Sequence, residues 1–237
     1  MSESSVKTPK TIWHQPPPVH FDSAWPRWTK YLFCLILLVI AFPFDKTVGQ
    51  WALGNPIVFK SDINLEMIML MQWGQWTCSI LVIVAVALLD KQGKARAIAL
   101  GVGCLTAVAL CYLLKGLCGR ARPWLLHAGV YGFFGPAYGF LHGAAYQSFP
   151  SAHTSGAFAL AAGLAWFYPN GRALFYGLAL DTAFQRVIRH DHYPSDVVAG
   201  AALAVTAVRS ALLWKWPGRL IAALPPVWQD WIFTANQ

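Results

Sequence analysis

The sequence predicts an all-α protein, a polytopic membrane bundle of six transmembrane helices with both termini on the cytoplasmic side. Three observations carry this. Of the 237 residues, 57% are hydrophobic and only 12% charged, where a soluble domain of this size carries about 25% charged residues. Long apolar runs recur from residue 31 to residue 214. Lys and Arg gather in the short segments between those runs, which fixes orientation.

Residues 1–29 are polar and contain the run Pro16-Pro17-Pro18, so a flexible cytoplasmic tail is expected, followed by a membrane domain over 30–214 and a cytoplasmic or interfacial segment over 215–237. The first apolar run, Lys30 to Phe44, is the shortest, about 22 Å at ~1.5 Å per residue, and needs flanking residues to span. The second, Met67 to Leu89, and the third, Ala97 to Leu117, form a hairpin around the basic turn from Asp90 to Arg96. A Gly- and aromatic-rich segment, 118–150, precedes three more runs: Ala152 to Tyr168, Arg172 to Phe184 or Ile188, and Ser195 to Trp214. Trp28, Trp51, Trp166, Trp214 and Trp216 lie near run ends, where indole rings favour the headgroup level.

Six spans and the basic residues together put Lys91, Lys94, Arg96, Arg172, Lys215 and Arg219 in the cytoplasm and the segments 118–150 and 186–195 on the outer face. The formal charge of +8 therefore follows from topology. No basic stripe suits a nucleic acid, so no nucleic-acid partner is expected. The five cysteines lie in or beside apolar runs without CxxC or Cys/His spacing, so neither a thiol role nor a metal site is expected.

Three clusters at the outer ends of the runs carry chemistry. In the first, Lys115 is followed seven residues later by Arg122-Pro123; if the third helix continues that far, both cations share one face and suit a dianionic phosphate. In the second, Pro150-Ser151-Ala152-His153 opens the fourth run, where free backbone N–H groups form an anion site, Ser151 adds a hydroxyl and His153 is the titrating group. In the third, Arg186 precedes His192 and Asp196. Four residues apart at a helix start, the carboxylate can orient the imidazole and leave its other nitrogen free to attack, while Arg186 offers donors to phosphoryl oxygens. Taken singly, each residue has a plainer role: Lys115 as a snorkelling anchor, Ser151 as an N-cap, Asp196 as a first-turn acid. Their joint spacing on one membrane face is what argues for a site. Asp181, inside the fifth run, is a further candidate as an intramembrane acid.

Lys115 with Arg122-Pro123, then Pro150-Ser151-x-His153, then Arg186 with His192 and Asp196, resembles the three-part signature of the type-2 phosphatidic acid phosphatases, a superfamily shared with vanadium haloperoxidases. The resemblance covers roughly residues 60–214. It implies a metal-independent lipid phosphatase without a cofactor, in which His192 forms a phosphohistidine, Asp196 orients it and His153 protonates the leaving oxygen. Lys115, Arg122, Ser151, Ala152 and Arg186 would hold the phosphate. Implied substrates are polyprenyl pyrophosphate, phosphatidylglycerol phosphate, phosphatidic acid or a lipid A phosphate, met among the membrane lipids of a bacterial inner membrane with the site on its periplasmic or extracellular side. A lipid phosphotransferase using the same phosphohistidine, or a non-catalytic lipid-binding or transport protein, are the alternatives. Two positions depart from the family pattern: Ala152 stands where Gly is usual, at a small steric cost unless φ is positive there, and Gln185 where Ser usually precedes the Arg.

Overall fold

The computed structural model describes residues 27–55 and 61–233, and every element among them is helical. The helices are α1 (Arg27–Gly54), α2 (Ser61–Met71), α3 (Trp76–Leu89), α4 (Gly93–Cys118), α5 (Pro136–Leu141), α6 (Ala152–Phe167), α7 (Arg172–Ile188), α8 (Pro194–Leu213), α9 (Trp216–Ala222) and α10 (Pro226–Phe233). The expected tail lies almost wholly outside the described residues; helix α1 already includes residues 27–29.

Helix α6 sits at the centre, packed by α4, α7 and α8, while α3 leans on α4 and α1 on α8. Its sequence explains that place. Nearly every residue from Thr154 to Ala165 is small or buried, and small side chains let helix backbones approach closely where lipid supplies no hydrophobic drive between helices. Leu100, Leu160 and Val208 fill the space between Ala99, Ala107, Ala159, Ala204 and Ala207. The large apolar residues point the other way: Phe33, Val39, Leu81, Leu88 and Leu105 are all more than 60% exposed, a lipid-facing surface rather than a water-facing one.

Among the described residues, three helices are long and apolar enough to cross a membrane: residues 31–54 of α1, α4 and α8. The pair α2 and α3, bent by 67° at its break, counts as a fourth if taken as one span. Helices α6 and α7 have 16 and 17 residues, about 24–26 Å at ~1.5 Å per residue, just short of a full crossing. The protein is thus an integral membrane helix bundle.

Two of the expected runs differ from the structure. The first is not the shortest but part of the longest helix, 28 residues, which passes through Pro43 and continues beyond Asp45. Its second half turns inward: Asp45 and Ala52 are buried, and a side chain at Gly49 would meet Leu126 and Tyr193 at 3.0 Å. The second run is broken by a 3₁₀ turn at Gln72–Gly74. Gly74 explains the break, since a Cβ there would lie 2.6 Å from the carbonyl oxygen of His153 and 2.7 Å from Thr182, so the chain passes directly under the start of α6.

At the end of the bundle where α3 meets α4, Asp90 accepts from Arg96 at 2.6 Å, from Tyr168 Oη at 2.8 Å and from the Gln92 N–H at 2.7 Å. Burial works against the charge, but these donors hold the Asp90 carboxyl below its ordinary value. Beyond α8, Lys94 lies 4.6 Å over the Trp231 ring, tying α10 to the same end; Trp228 and Val227 stay exposed, as an interfacial segment requires.

Candidate active site

At the opposite end, the C-terminus of α4, the N-termini of α6 and α8 and the C-terminus of α7 converge, and they bring the three sequence clusters together. Each arrives by its own local rule. Helix α4 stops at Cys118 because Gly119 adopts φ 56°, its N–H capping the Lys115 carbonyl at 3.1 Å, and because the carbonyl of Gly135 approaches too closely for any side chain. Arg122 therefore leaves the helix face on which i and i+7 would have placed it with Lys115, and reaches the site from an extended segment instead.

Lys115 is buried and donates to the carbonyls of Gln147 and, at 3.4 Å, Ser148. Arg122 Nε donates to the Ala144 carbonyl at 2.9 Å, and its guanidinium lies 3.7 Å from the Asp191 carboxylate. Arg186 contacts the same carboxylate at 2.9 Å and leaves its Nε buried without a partner. Asp191 thus bridges the two arginines, occupying with one carboxylate the donors that a phosphate would need. The spacing rules gave it no role; its only signal is an acid beside a paired histidine.

Ser151 is the N-cap of α6: its Oγ accepts from Thr154 N at 3.4 Å and from Thr154 Oγ1 at 3.0 Å, which leaves its own proton to donate. Its N–H is already taken by the Asp196 carbonyl, at 3.0 Å. Ala152 follows with no positive φ, so its Cβ replaces the usual glycine hydrogen without backbone strain. His153 opens the helix within electrostatic reach of Arg186, Arg122 and Lys115.

His192 is buried and sits on a turn led by His190, whose φ is 61°. Its Nδ1 lies 3.5 Å from Asp196 Oδ2, turned towards the carboxylate without closing a hydrogen bond. Burial lowers the imidazole well below its ordinary value, Asp196 opposes this, and the cations of Lys115 and Arg122 add to it, so the ring is neutral at pH 7. A neutral imidazole with Nδ1 held towards a carboxylate has Nε2 available as a nucleophile.

Behind this pair lies a layer the sequence clusters did not include. Asp196 Oδ2 accepts from Ser148 Oγ at 2.5 Å and from the Tyr193 N–H at 2.9 Å, while Oδ1 accepts from Arg120 at 2.6 Å. Arg120 also grips Asp45 of α1 at 2.6 Å. From sequence alone, Arg120 reads as an outer-face charge and Asp45 as the end of an apolar run; an acid inside a membrane helix was the available signal. Asp181 stands apart from the site, accepting from Gln185 one turn along α7 at 2.6 Å. The aromatic segment is partly structural: Tyr131 packs edge-on against Tyr193 at 5.6 Å, and Phe133 against Phe149 at 5.6 Å.

Between α3, α4 and α6 opens a cavity of about 310 Å³ whose walls are largely apolar, among them Trp76, Ile83, Leu105 and Val108, and whose lining includes His153. Among the described residues no group of His, Cys, Asp and Glu is placed to hold a metal ion.

Comparison with known proteins agrees with these features. The profile of the PAP2 superfamily matches residues 96–220, more than half of the chain. A lipid A 1-phosphatase of Rhizobium johnstonii is 38% identical over 120 residues, covering 50% of this chain and 48% of that protein. One of Rhizobium etli is 38% identical over 121 residues, covering 46% and 51%. The match therefore spans about half the length of these relatives. Among solved structures, a transmembrane PAP2-type phosphatidylglycerolphosphate phosphatase from Bacillus subtilis aligns with a TM-score of 0.48 at 17% identity, covering 84% of this chain and 96% of that one.

Proposed function

The chain belongs to the PAP2 superfamily, and on that premise we propose that it is a lipid phosphatase that hydrolyses a lipid phosphate through a phosphohistidine, with a lipid A 1-phosphate as the first candidate substrate. One observation carries the reading: a buried, neutral His192 lies beside Asp196 and within electrostatic reach of Lys115 and Arg122, and Lys115 in turn lies within reach of Arg186. That arrangement pairs a nucleophile with a cradle for a dianion.

The chemistry balances with these groups alone. His192 Nε2 attacks phosphorus as the bond to the lipid oxygen breaks, and His153, which takes up a proton from water when the bound phosphate offsets the cations around it, gives that oxygen its proton. The Nδ1–H of His192 stays on the ring and donates to Asp196, which stabilises the positive charge while the ring carries the phosphoryl group. Neutral His153 then takes a proton from water, which attacks phosphorus, releases inorganic phosphate and restores His192. Lys115, Arg122, Arg186, the Ser151 hydroxyl and the Ala152 N–H hold the equatorial oxygens throughout. Arg122 and Arg186 release Asp191 to do so. No step requires a metal.

The relatives' substrate favours a glycolipid phosphate over the other lipid phosphates, and the apolar cavity that His153 helps to line suits an acyl chain. Six crossings with both termini cytoplasmic, and a site on the periplasmic face of the inner membrane, complete the reading. A substrate that diffuses laterally to the site is the reason to embed a phosphatase in a bilayer.

The test is phosphate release in EDTA by the detergent-purified protein, beside His192→Ala, from lipid A 1-phosphate, phosphatidylglycerol phosphate, phosphatidic acid and polyprenyl pyrophosphate. Turnover by the parent alone, fastest on the lipid A phosphate, is expected. Equal turnover by the variant would eliminate the phosphohistidine, and turnover only with an added acceptor lipid would make the protein a phosphotransferase. Topology is tested by an impermeant thiol reagent on cells, with the five native cysteines replaced. Cysteine at Leu141, 79% exposed, should react and cysteine at Lys91, exposed at the other end, should not.

A further inference from the structure

The three arginines near the site are used differently. Arg122 and Arg186 share a single carboxylate, Asp191, which is 25% exposed, so both can turn to an incoming anion. Arg120 cannot. It is 1% exposed, its Nη1 is bonded to Asp196 Oδ1 at 2.6 Å and Ser195 Oγ at 2.7 Å, and its Nη2 to Asp45 Oδ2 at 2.6 Å. Its guanidinium is boxed by Phe42, Phe133, Phe149 and Tyr193, with ring centroids 4.4–6.0 Å away. No face is left for phosphate.

We propose that Arg120, anchored by Asp45 of α1, is a positioning residue for catalysis: it grips Asp196 by Oδ1 and thereby presents Oδ2 to His192. The proposal rests on His192 being the nucleophile. Its logic is geometric. A carboxylate on the first turn of α8 can rotate about χ2, and a rotated Asp196 would no longer face Nδ1. Three contacts prevent this: Arg120 on Oδ1, and Ser148 Oγ and the Tyr193 N–H on Oδ2. Asp45 in turn fixes Arg120 and also accepts from the Ser195 N–H at 2.9 Å and from Ser195 Oγ, so it clamps the residue next to Asp196 as well.

The charge arithmetic points the same way. The Asp45, Arg120 and Asp196 triad carries a net −1, so His192 faces the equivalent of one carboxylate even though two are buried nearby. As a stabilising device such a triad is poor, because apolar packing of the same volume holds a fold at least as well as a buried ion network; as an orienting device it is apt. It also extends the catalytic machinery to α1, outside the 96–220 segment that matches the family profile.

The test uses the full-length protein in detergent and the phosphate-release assay, with His192→Ala, Arg120→Lys, Asp196→Asn, the charge-neutral pair Asp45→Asn with Arg120→Gln, and that pair combined with Asp196→Asn. The pair should lower kcat about 10- to 100-fold with KM within about twofold of the parent, the scale on which an outer-shell partner acts through the residue it orients. Combined with Asp196→Asn, it should cost less than about threefold more, because the route through Asp196 is already broken. Arg120→Lys keeps the charge but reaches only one carboxylate, so kcat should fall to an intermediate value. Because it disturbs packing least, it decides the question if the pair does not fold: an unchanged kcat in Arg120→Lys would overturn the proposal. A large rise in KM at constant kcat would overturn it by making Arg120 a phosphate ligand, and a full, additive loss in the Asp196→Asn background would reduce Arg120 to a bundle strut. Retained turnover in His192→Ala would instead remove the phosphohistidine reading itself, an outcome separable from the others.

Discussion

Gly200 offers a graded way to move one half of the site against the other. It lies on α8 one turn after Asp196, and a Cβ added there would meet the Ser151 carbonyl oxygen at 2.6 Å and the Ser151 nitrogen at 3.4 Å. Both atoms are backbone, held by the bond from the Ser151 N–H to the Asp196 carbonyl, so no flexible side chain can give way. Reaching an ordinary contact of about 3.4 Å needs a shift of roughly 0.8 Å between α8, which carries Asp196, and the N-terminus of α6, which carries Ser151, Ala152 and His153. Gly200→Ala should therefore cost about 1–3 kcal/mol of stability. It should also lower kcat on the scale of 10- to 100-fold, because misplacement of reacting groups by about 1 Å has that effect. Gly177→Ala is the control: it lies on α7 with open space around its Cβ, and should keep parental kcat with a Tm equal to or slightly above the parent's, since Ala favours helix over Gly. The assay is kcat from phosphate release, with Tm in the same detergent to account for folding. Parental kcat in folded Gly200→Ala would refute the claim that the α6 N-terminus and the α8 start must keep this spacing.

Three further outcomes follow from the charges. Asp191→Asn removes the carboxylate that competes with phosphate for Arg122 and Arg186, so inorganic phosphate should inhibit several-fold more tightly; weaker inhibition would mean that Asp191 chiefly orients the arginines. The folded pKa of His192 is lowered, so between the unfolded value of about 6.5 and that lower value the unfolded chain binds the extra proton. The stability it contributes is present above about pH 6.5 and is lost as pH falls, and the drop in Tm from pH 7 to pH 5 should be larger for the parent than for His192→Ala; an equal drop would contradict a buried neutral ring. Asp90→Asn, at the far end of the bundle, should lower stability by about 1–2 kcal/mol through its three donors and leave kcat of the folded fraction unchanged, as thermal unfolding beside turnover would establish.

The legible part of this protein is the part whose geometry is local. His192 and Asp196 are one helical turn apart, and Ser151 caps the helix that His153 enters, so fixed helix periodicity carries spacing into contact. The apolar runs, set by bilayer thickness, likewise appear as α4, α6 and α8 within a few residues. Where the chain departs from periodicity, the pattern misleads. Lys115 and Arg122 share no helix face, because Gly119 ends α4 between them, and Gly74 breaks what hydropathy shows as one span. Both glycines answer to atoms far along the chain, the Gly135 carbonyl and the His153 carbonyl, which no window of sequence contains.

The same distinction explains why Asp45 and Arg120 escape a sequence reading. Arg120 is 76 residues from Asp196 and 75 from Asp45, and neither separation corresponds to any repeat of helix or turn. A buried charge in a membrane helix nevertheless demands a partner, and a partner inside a small bundle must sit at the level where helices exchange polar groups. Among the described residues the acids at the site are matched: the buried Asp45 and Asp196 to Arg120, the partly exposed Asp191 to Arg122 and Arg186. The arginines then divide by the exposure of the acids they hold. On the proposed mechanism Arg120, enclosed with two buried carboxylates, holds Asp196 in place, whereas Arg122 and Arg186, which share the partly exposed Asp191, can exchange it for substrate. Orienting and binding would then be set by which carboxylate each arginine holds, and α1 would join the active site by supplying the acid that keeps Arg120 from turning outward.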